Sequence, residues 1–295
     1  MRKIKRTFLL LTIIISVGAG LAKFSGFDQK IKTLIPSDWK GTVSKLMPSK
    51  TSEVTIYSAN LQEYTPPGGF PAFDIQNEFQ IIDHKIFKIA YCDELYSPTL
   101  VAYPAIATNV RKSDPRPRGG RFFDDPGNKP NITHDDYTNS GYDRGHLFPN
   151  YLASVCYGPD AQALTFFTSN ITPQTPELNR GIWRELEGRV GFEWRHNYQL
   201  IHVITGPIFK SKPTPRIKNK IAIPDGYFKI LLRGQSQQWE ALAFIFPQNP
   251  QSSKLSDYLV SIDTIEKITG WDFFSELPDT EEYTFETYKA KTLWP

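Results

Sequence analysis

The chain is poor in cysteine, in methionine and in net charge. Two cysteines and two methionines among 295 residues exclude a small domain held together by disulfides. No Cys-x-x-Cys pair or Cys/His cluster occurs, which argues against a structural zinc site. Cys92 and Cys156 stand 64 positions apart, and two readings stay open: one disulfide closing a long loop, or two separate buried thiols. Neither Gly-x-Ser-x-Gly nor His-Glu-x-x-His is present, so the sequence gives no support to a serine hydrolase or a zinc protease of those types. Beyond the N-terminus there is no hydrophobic run long enough to span a bilayer, a length of about 20 residues.

That N-terminus has the three-part layout of a secretory signal. Arg2, Lys3, Lys5 and Arg6 precede the apolar run Phe8 to Val17, and the small residues Gly18, Ala19, Gly20 and Ala22 follow. Residues 1–22 are therefore expected to direct export, to the periplasm or outside the cell, with cleavage after Ala22. The alternative is an uncleaved membrane anchor on residues 8–22. Loss of the leader removes four basic and no acidic residues, which turns the formal charge of +3 into −1. Global charge thus gives no argument for nucleic-acid binding; any attraction to phosphates must be local.

What the chain does have is aromatic and turn-forming residues: 20 Phe, 14 Tyr and 6 Trp, with 23 Pro and 19 Gly. This composition fits a large core with short elements and many turns. Residues 23–75 read as an extension or spacer, with a helix expected within Lys23 to Leu46 and a turn-rich stretch at Tyr64-Thr65-Pro66-Pro67-Gly68-Gly69. Residues 76–295 read as one α+β domain of antiparallel sheets with a central functional helix. Strands are expected over Phe87–Tyr91, Leu100–Ala105, Leu200–Thr205, Tyr227–Leu232 and Ala241–Phe246, and Arg111 to Pro130 as loop. Thr175-Pro176-Glu177 has the order of a helix cap, first helical residue and acidic first turn. Leu178, Ile182, Leu186 and Val190 continue it at four-residue spacing towards His196. A short helix is expected over Ile262 to Thr269.

Two stretches carry chemistry. In Tyr142-Asp143-Arg144-Gly145-His146, an imidazole able to accept a proton near neutrality stands beside a permanent planar cation and a carboxylate. The glycine permits close backbone geometry. The second stretch runs from Ser169-Asn170-Ile171-Thr172-Pro173-Gln174 to Leu178-Asn179-Arg180-Gly181-Ile182-Trp183-Arg184-Glu185-Leu186-Glu187. On one regular helix Glu187 lies about 80° round the axis from Asn179, so both face one side. An amide oxygen with a nearby carboxylate suits magnesium; a capping Asn and a solvated Glu are the alternative.

Together, Asp-Arg-Gly-His, Asn-x-x-Pro-Gln and Asn-x-x-x-Trp-x-x-Leu-Glu at this separation resemble the DNA/RNA non-specific endonuclease family, the ββα-metal nucleases. The resemblance covers about residues 76–280, including Thr205-Gly206-Pro207. It implies a ββα-metal fold with a metal-bearing helix and hydrolysis of phosphodiester bonds in DNA and RNA to 5′-phosphorylated products. His146 is implied as general base, Asn179 as the direct ligand of a single Mg2+ (Mn2+ as substitute), and Glu187 as the carboxylate that holds metal-bound water. Arg144 is implied to stabilise charge on the phosphate, Asn170 to shape the site and Arg180 to bind substrate. A further loop arginine is implied, with Arg121 the first choice and Arg118 the second. Trp183 and Leu186 read as packing residues. Leu147-Phe148-Pro149-Asn150 departs from the smaller residues usual in the family, which bears on substrate access. Lys210, Lys212, Arg216, Lys218 and Lys220 form an acid-free basic run, readable as a phosphate-tracking patch or as a solvated loop.

Overall fold

A computed structural model describes residues 68–73, 79–108, 121–128, 132–235 and 238–295. The leader, the expected helix within Lys23 to Leu46, most of the Arg111–Pro130 loop and Arg118 lie outside the described residues. No helix among the described residues is long and apolar enough to cross a membrane.

Strands β1 (Ala72–Phe73), β2 (Gln80–Asp83), β3 (Lys88–Cys92) and β4 (Ser97–Ile106) open the fold. They are followed by β5 (Asp143–His146), β6 (Ile171–Gln174), β7 (Leu200–Ile208), β8 (Arg216–Ile217) and β9 (Ile221–Ala222), then β10 (Gly226–Gln235), β11 (Gln238–Pro247), β12 (Leu259–Val260) and β13 (Trp271–Asp272). Seven of them form one sheet in the order β12-β11-β10-β7-β4-β3-β2, with antiparallel neighbours throughout. β5 and β6 form a separate two-stranded ribbon, and β1 pairs with β13. Ala72–Phe73, on the spacer side of the expected boundary, is therefore joined to the C-terminal part of the domain.

The central strands are apolar on both faces because the sheet is covered on both sides. On β10, Tyr227 and Leu231 enter one core, while Phe228, Ile230 and Leu232 enter the other. The first core includes the helices α1 (Asn150–Tyr157), α2 (Pro159–Leu164), α3 (Pro176–Arg180) and α4 (Ile182–Gly188), with Trp183 and Leu186 almost fully buried. A π-helical segment, Arg189–Trp194, continues α4 into α5 (Arg195–Tyr198). The second core is closed by Ile262 and Ile265 of α6 (Ile262–Thr269) and by Trp271, and α7 (Asp279–Thr287) follows in the chain. Ser261 accepts from Thr264 N at 3.3 Å and Gly270 ends α6 at φ +77°, so the expected span is bounded by a cap at each end.

Three expectations are corrected. The helix from Thr175 towards His196 is not one regular α-helix. Gly181 breaks it, and a Cβ there would run into the carbonyl oxygen of Glu177. Asn179 and Glu187 therefore stand on different helices, α3 and α4, and the single-axis geometry does not hold. Cys92 and Cys156 are two separate buried thiols rather than a disulfide. Leu147 and Phe148 point inward with no exposed surface, and Phe148 stacks on Tyr103 with ring centroids 4.4 Å apart. Asn150 is buried too, bonded to Thr165 Oγ1 at 2.9 Å and Gln162 Nε2 at 3.0 Å. The departure from smaller residues at 147–150 is thus a matter of core packing, not of substrate access.

Candidate active site

Asp143–His146 is a strand, paired with Ile171–Gln174 in the register Asp143↔Gln174, Arg144↔Pro173, Gly145↔Thr172 and His146↔Ile171. The two conserved-looking stretches of the motif reading are thus brought side by side. Strand alternation sends Asp143 and Gly145 to one face and Arg144 and His146 to the other. Glycine at 145 is needed because a Cβ there would collide with the Gln174 side-chain amide, which is fully buried.

On the first face, Asp143 gathers the start of the helical region. Its Oδ2 accepts from Asn179 Nδ2 at 2.9 Å and from Arg180 Nε at 2.7 Å, and its Oδ1 accepts from Arg180 Nη2 at 2.6 Å. A carboxylate only accepts, so it fixes which end of the Asn179 amide faces it. Burial works against the charge of Asp143, yet the Arg180 and Asn179 donors hold its carboxyl below the usual carboxylate range. Arg180, expected at the substrate, is instead forked onto Asp143. Thr175 starts α3 as its cap, accepting from Leu178 N at 3.3 Å, and its hydroxyl is tied to the carbonyl of Gln248. The half-buried Asn179 is therefore placed by both the helix start and the carboxylate.

On the second face, Arg144 and His146 flank Phe122. The guanidinium carbon is 6.0 Å from the Phe122 ring centroid, and the His146 ring is 5.4 Å from it. Arg144 Nη2 donates to His134 O at 2.8 Å and Thr138 Oγ1 at 3.0 Å. Its Nη1 has no partner among the described residues and is not buried. Partial burial lowers the Arg144 pKa, but an arginine so placed stays charged. Phe122 N donates to His134 Nδ1 at 3.3 Å, and burial, with Arg144 and Arg121 nearby, pushes the His134 pKa down. Arg121 is exposed and pairs with Asp135 at 3.2 Å.

Asn170 does not reach solvent. Fully buried, it accepts from Phe148 N at 2.9 Å and donates to Phe148 O at 3.1 Å and Thr165 O at 3.2 Å. Both ends of its amide are used, so the expected substrate contact is corrected to an internal clamp on the chain just after His146. Glu187 is half-buried and faces the sheet, with Oε1 3.8 Å from Lys229 Nζ. Lys229, absent from the sequence expectations, is 1% exposed. Burial lowers its pKa, and Glu187 pulls it back up. The only cue in the sequence was a lysine in the apolar run Tyr227-Phe228-Lys229-Ile230-Leu231. The basic run falls on the β8–β9 hairpin, turned through Lys218 and Asn219 at positive φ. Lys218 Nζ donates to Asp135 O at 2.7 Å and Lys220 Nζ lies 3.0 Å from Asp136 Oδ2, so these two lysines hold the segment that anchors Arg144.

Asn179 is the residue here that fits a hard metal ion. Its Nδ2 is committed to Asp143, which leaves Oδ1, a hard oxygen donor, without a hydrogen bond among the described residues. An ion that keeps most of its water suits such a sparse protein ligand set.

Comparison with known proteins follows the same lines. The family described as DNA/RNA non-specific endonuclease matches residues 69–280. The mitochondrial endonuclease G of Bos taurus is 34% identical over 151 residues, covering 47% of this chain and 50% of that protein. The nuclease of Serratia marcescens is 33% identical over 153 residues, covering 49% of this chain and 56% of that protein. The chain thus spans about half the length of these relatives. The crystal structure of the EndoG/EndoGI complex aligns with a TM-score of 0.61 at 23% identity, covering 79% of this chain and 96% of the matched one, a likeness of fold. With the family match extending over most of the chain, this protein belongs to the DNA/RNA non-specific endonuclease family.

Proposed function

We propose that this protein is a metal-dependent endonuclease that hydrolyses phosphodiester bonds in both DNA and RNA, leaving 5′-phosphorylated products. The observation that carries the reading is the placement of Asn179 by Asp143, on the same four-residue strand as Arg144 and His146. His146 acts as general base, taking the proton of the attacking water as the neutral imidazole near pH 7. Arg144, held through Nη2, presents Nη1 to a non-bridging phosphate oxygen as charge develops. Asn179 Oδ1 holds Mg2+, with Mn2+ as substitute, and Glu187 accepts hydrogen bonds from the ion's hydration shell. When bound, the ion supplies Lewis-acid stabilisation of the departing 3′-oxygen. Arg121, at the rim beside Asp135, is the accessory arginine of this reading. Binding through backbone phosphates rather than base edges accounts for indifference to sequence and sugar.

Residues 1–22 complete the proposal as an export signal, or as an anchor on residues 8–22 when left uncut. N-terminal sequencing of the protein from its native host tells the two apart.

The test is digestion of plasmid DNA and of RNA with Mg2+, with EDTA, and with His146→Ala. Cutting of both polymers by the wild type, stopped by EDTA and by the substitution with the circular dichroism unchanged, is expected. Near-normal cutting by His146→Ala would overturn the assignment.

A further inference from the structure

Lys229 sits in the middle of β10, opposite Thr205 on β7 and Phe244 on β11. Its side chain lies on the face of Tyr227 and Leu231, the one packed by α4, and is 1% exposed. Nζ rests 3.9 Å from the Trp183 ring centroid and 3.8 Å from Glu187 Oε1. Trp183 and Glu187 are four residues apart on α4, so one helical face presents a ring and a carboxylate to the same ammonium. The 3.8 Å separation is an ion pair too long for a hydrogen bond.

An ammonium here is costly in packing terms. Taking it out of water carries a penalty of several kcal/mol that one loose ion pair offsets only in part, and an apolar side chain of similar length would fill the same space. Arg233 and Glu240, on the outer part of the same hairpin, show the ordinary alternative: a bidentate pair at 2.6 and 3.1 Å with the carboxylate in solvent. Core stability therefore does not explain a lysine at 229. A need at Glu187 does. The carboxylate is half-buried beside Tyr103, whose hydroxyl is pushed to a higher pKa by burial and by the Glu187 charge. An acid there stays ionised and aimed only if a cation is fixed behind it.

We propose that Lys229 is a positioning residue for the reaction: from the sheet side, its buried ammonium keeps Glu187 ionised and aims the carboxylate at the active site. The inference rests on the reading of Glu187 as a site carboxylate given under Proposed function. Trp183 serves it by holding Nζ through its ring face, which leaves the ammonium hydrogens for the carboxylate side.

The experiment compares Lys229→Met, Glu187→Gln and the double variant by kcat and KM on plasmid DNA in Mg2+, with thermal melting alongside. Lys229→Met is expected to lower kcat by about 10–100-fold, the range seen when partners that orient site ligands are removed. KM is expected to change by less than about twofold, as for an interaction made in the transition state. The double variant should be no slower than Glu187→Gln alone. Wild-type kcat for folded Lys229→Met would overturn the proposal, as would a loss that multiplies with that of Glu187→Gln. If Lys229→Met does not fold because it strands Glu187, the double variant, which removes both charges, decides: equality with Glu187→Gln supports the inference and further loss refutes it. Should Glu187→Gln itself be fully active, the reading of Glu187 fails and this inference with it. An inactive Glu187→Gln beside a fully active Lys229→Met sinks the Lys229 role alone.

Discussion

Asn179 donates from Nδ2 to Asp143 Oδ2 at 2.9 Å, so the carboxylate of the Asp-Arg-Gly-His stretch aims an amide on the helix rather than the histidine three residues on. Roughly 10 Å of strand separates Asp143 from His146 at about 3.3 Å per residue. Asp143 is therefore an orienting residue for the metal ligand. Asp143→Asn keeps the size but offers a donor where only an acceptor fits, and it also releases Arg180. The expected result is a rise of about 10–100-fold in the Mg2+ concentration giving half-maximal cutting, with maximal rate recovered at high Mg2+. A metal titration of initial rates checks this; an unchanged Mg2+ requirement would remove the orienting role.

Gly145 lies against the buried Gln174 amide, with no room for a methyl group. Gly145→Ala should therefore cost about 1–3 kcal/mol as overpacking. It should also tilt His146 relative to Arg144, because both leave the same strand. Shortening Gln174 to Ala in the same molecule makes space, so the double variant should melt higher than Gly145→Ala alone. Melting curves of the two variants measure the difference, and equal destabilisation would mean the clash is not with Gln174.

His202 on β7 is 5% exposed, and burial pushes its pKa down to about 4 from 6.5. The unfolded chain takes up this proton near pH 6.5, while the folded chain resists it until about 4. More protons are then bound by the unfolded state, so stability falls as pH drops through this window and is fully present above it. A shift of this size corresponds to about 3 kcal/mol. Denaturant midpoints between pH 7 and 4 should fall for the wild type and fall distinctly less for His202→Phe. Parallel slopes for the two proteins would assign the acid sensitivity elsewhere.

Much of the fold was readable because local chemistry and tertiary packing agree. The Thr175 and Ser261 caps, the Gly270 stop and the doubly buried strands each carry their own signal. In the site, the motif spacing marks His146, Arg144, Asn179 and Glu187, and the structure sets the two motif strands in register. What was not readable depends on groups meeting across the sheet. Lys229 meets Glu187 from 42 positions away, and a lone lysine in a strand does not announce its partner. Asn170 looked like a site polar group, but whether an amide faces solvent or clamps Phe148 depends on packing depth. Gly181 sat inside an apolar period that favours a continuous helix; only the approach of the Glu177 carbonyl shows why it breaks.

The π-helical segment Arg189–Trp194 has a consequence for changes in chain length. Such a segment houses one residue more per turn than an α-helix needs. Deleting a single residue between Arg189 and Trp194 would let the helix run regularly, but it would swing everything after it by about 100°. Trp194 would leave its contact with Trp294, and Arg195 would lose the carbonyls of Gly191 and Ile106 that it holds at 2.6 and 2.9 Å. At this place in the chain, losing one residue should therefore be less well tolerated than replacing one.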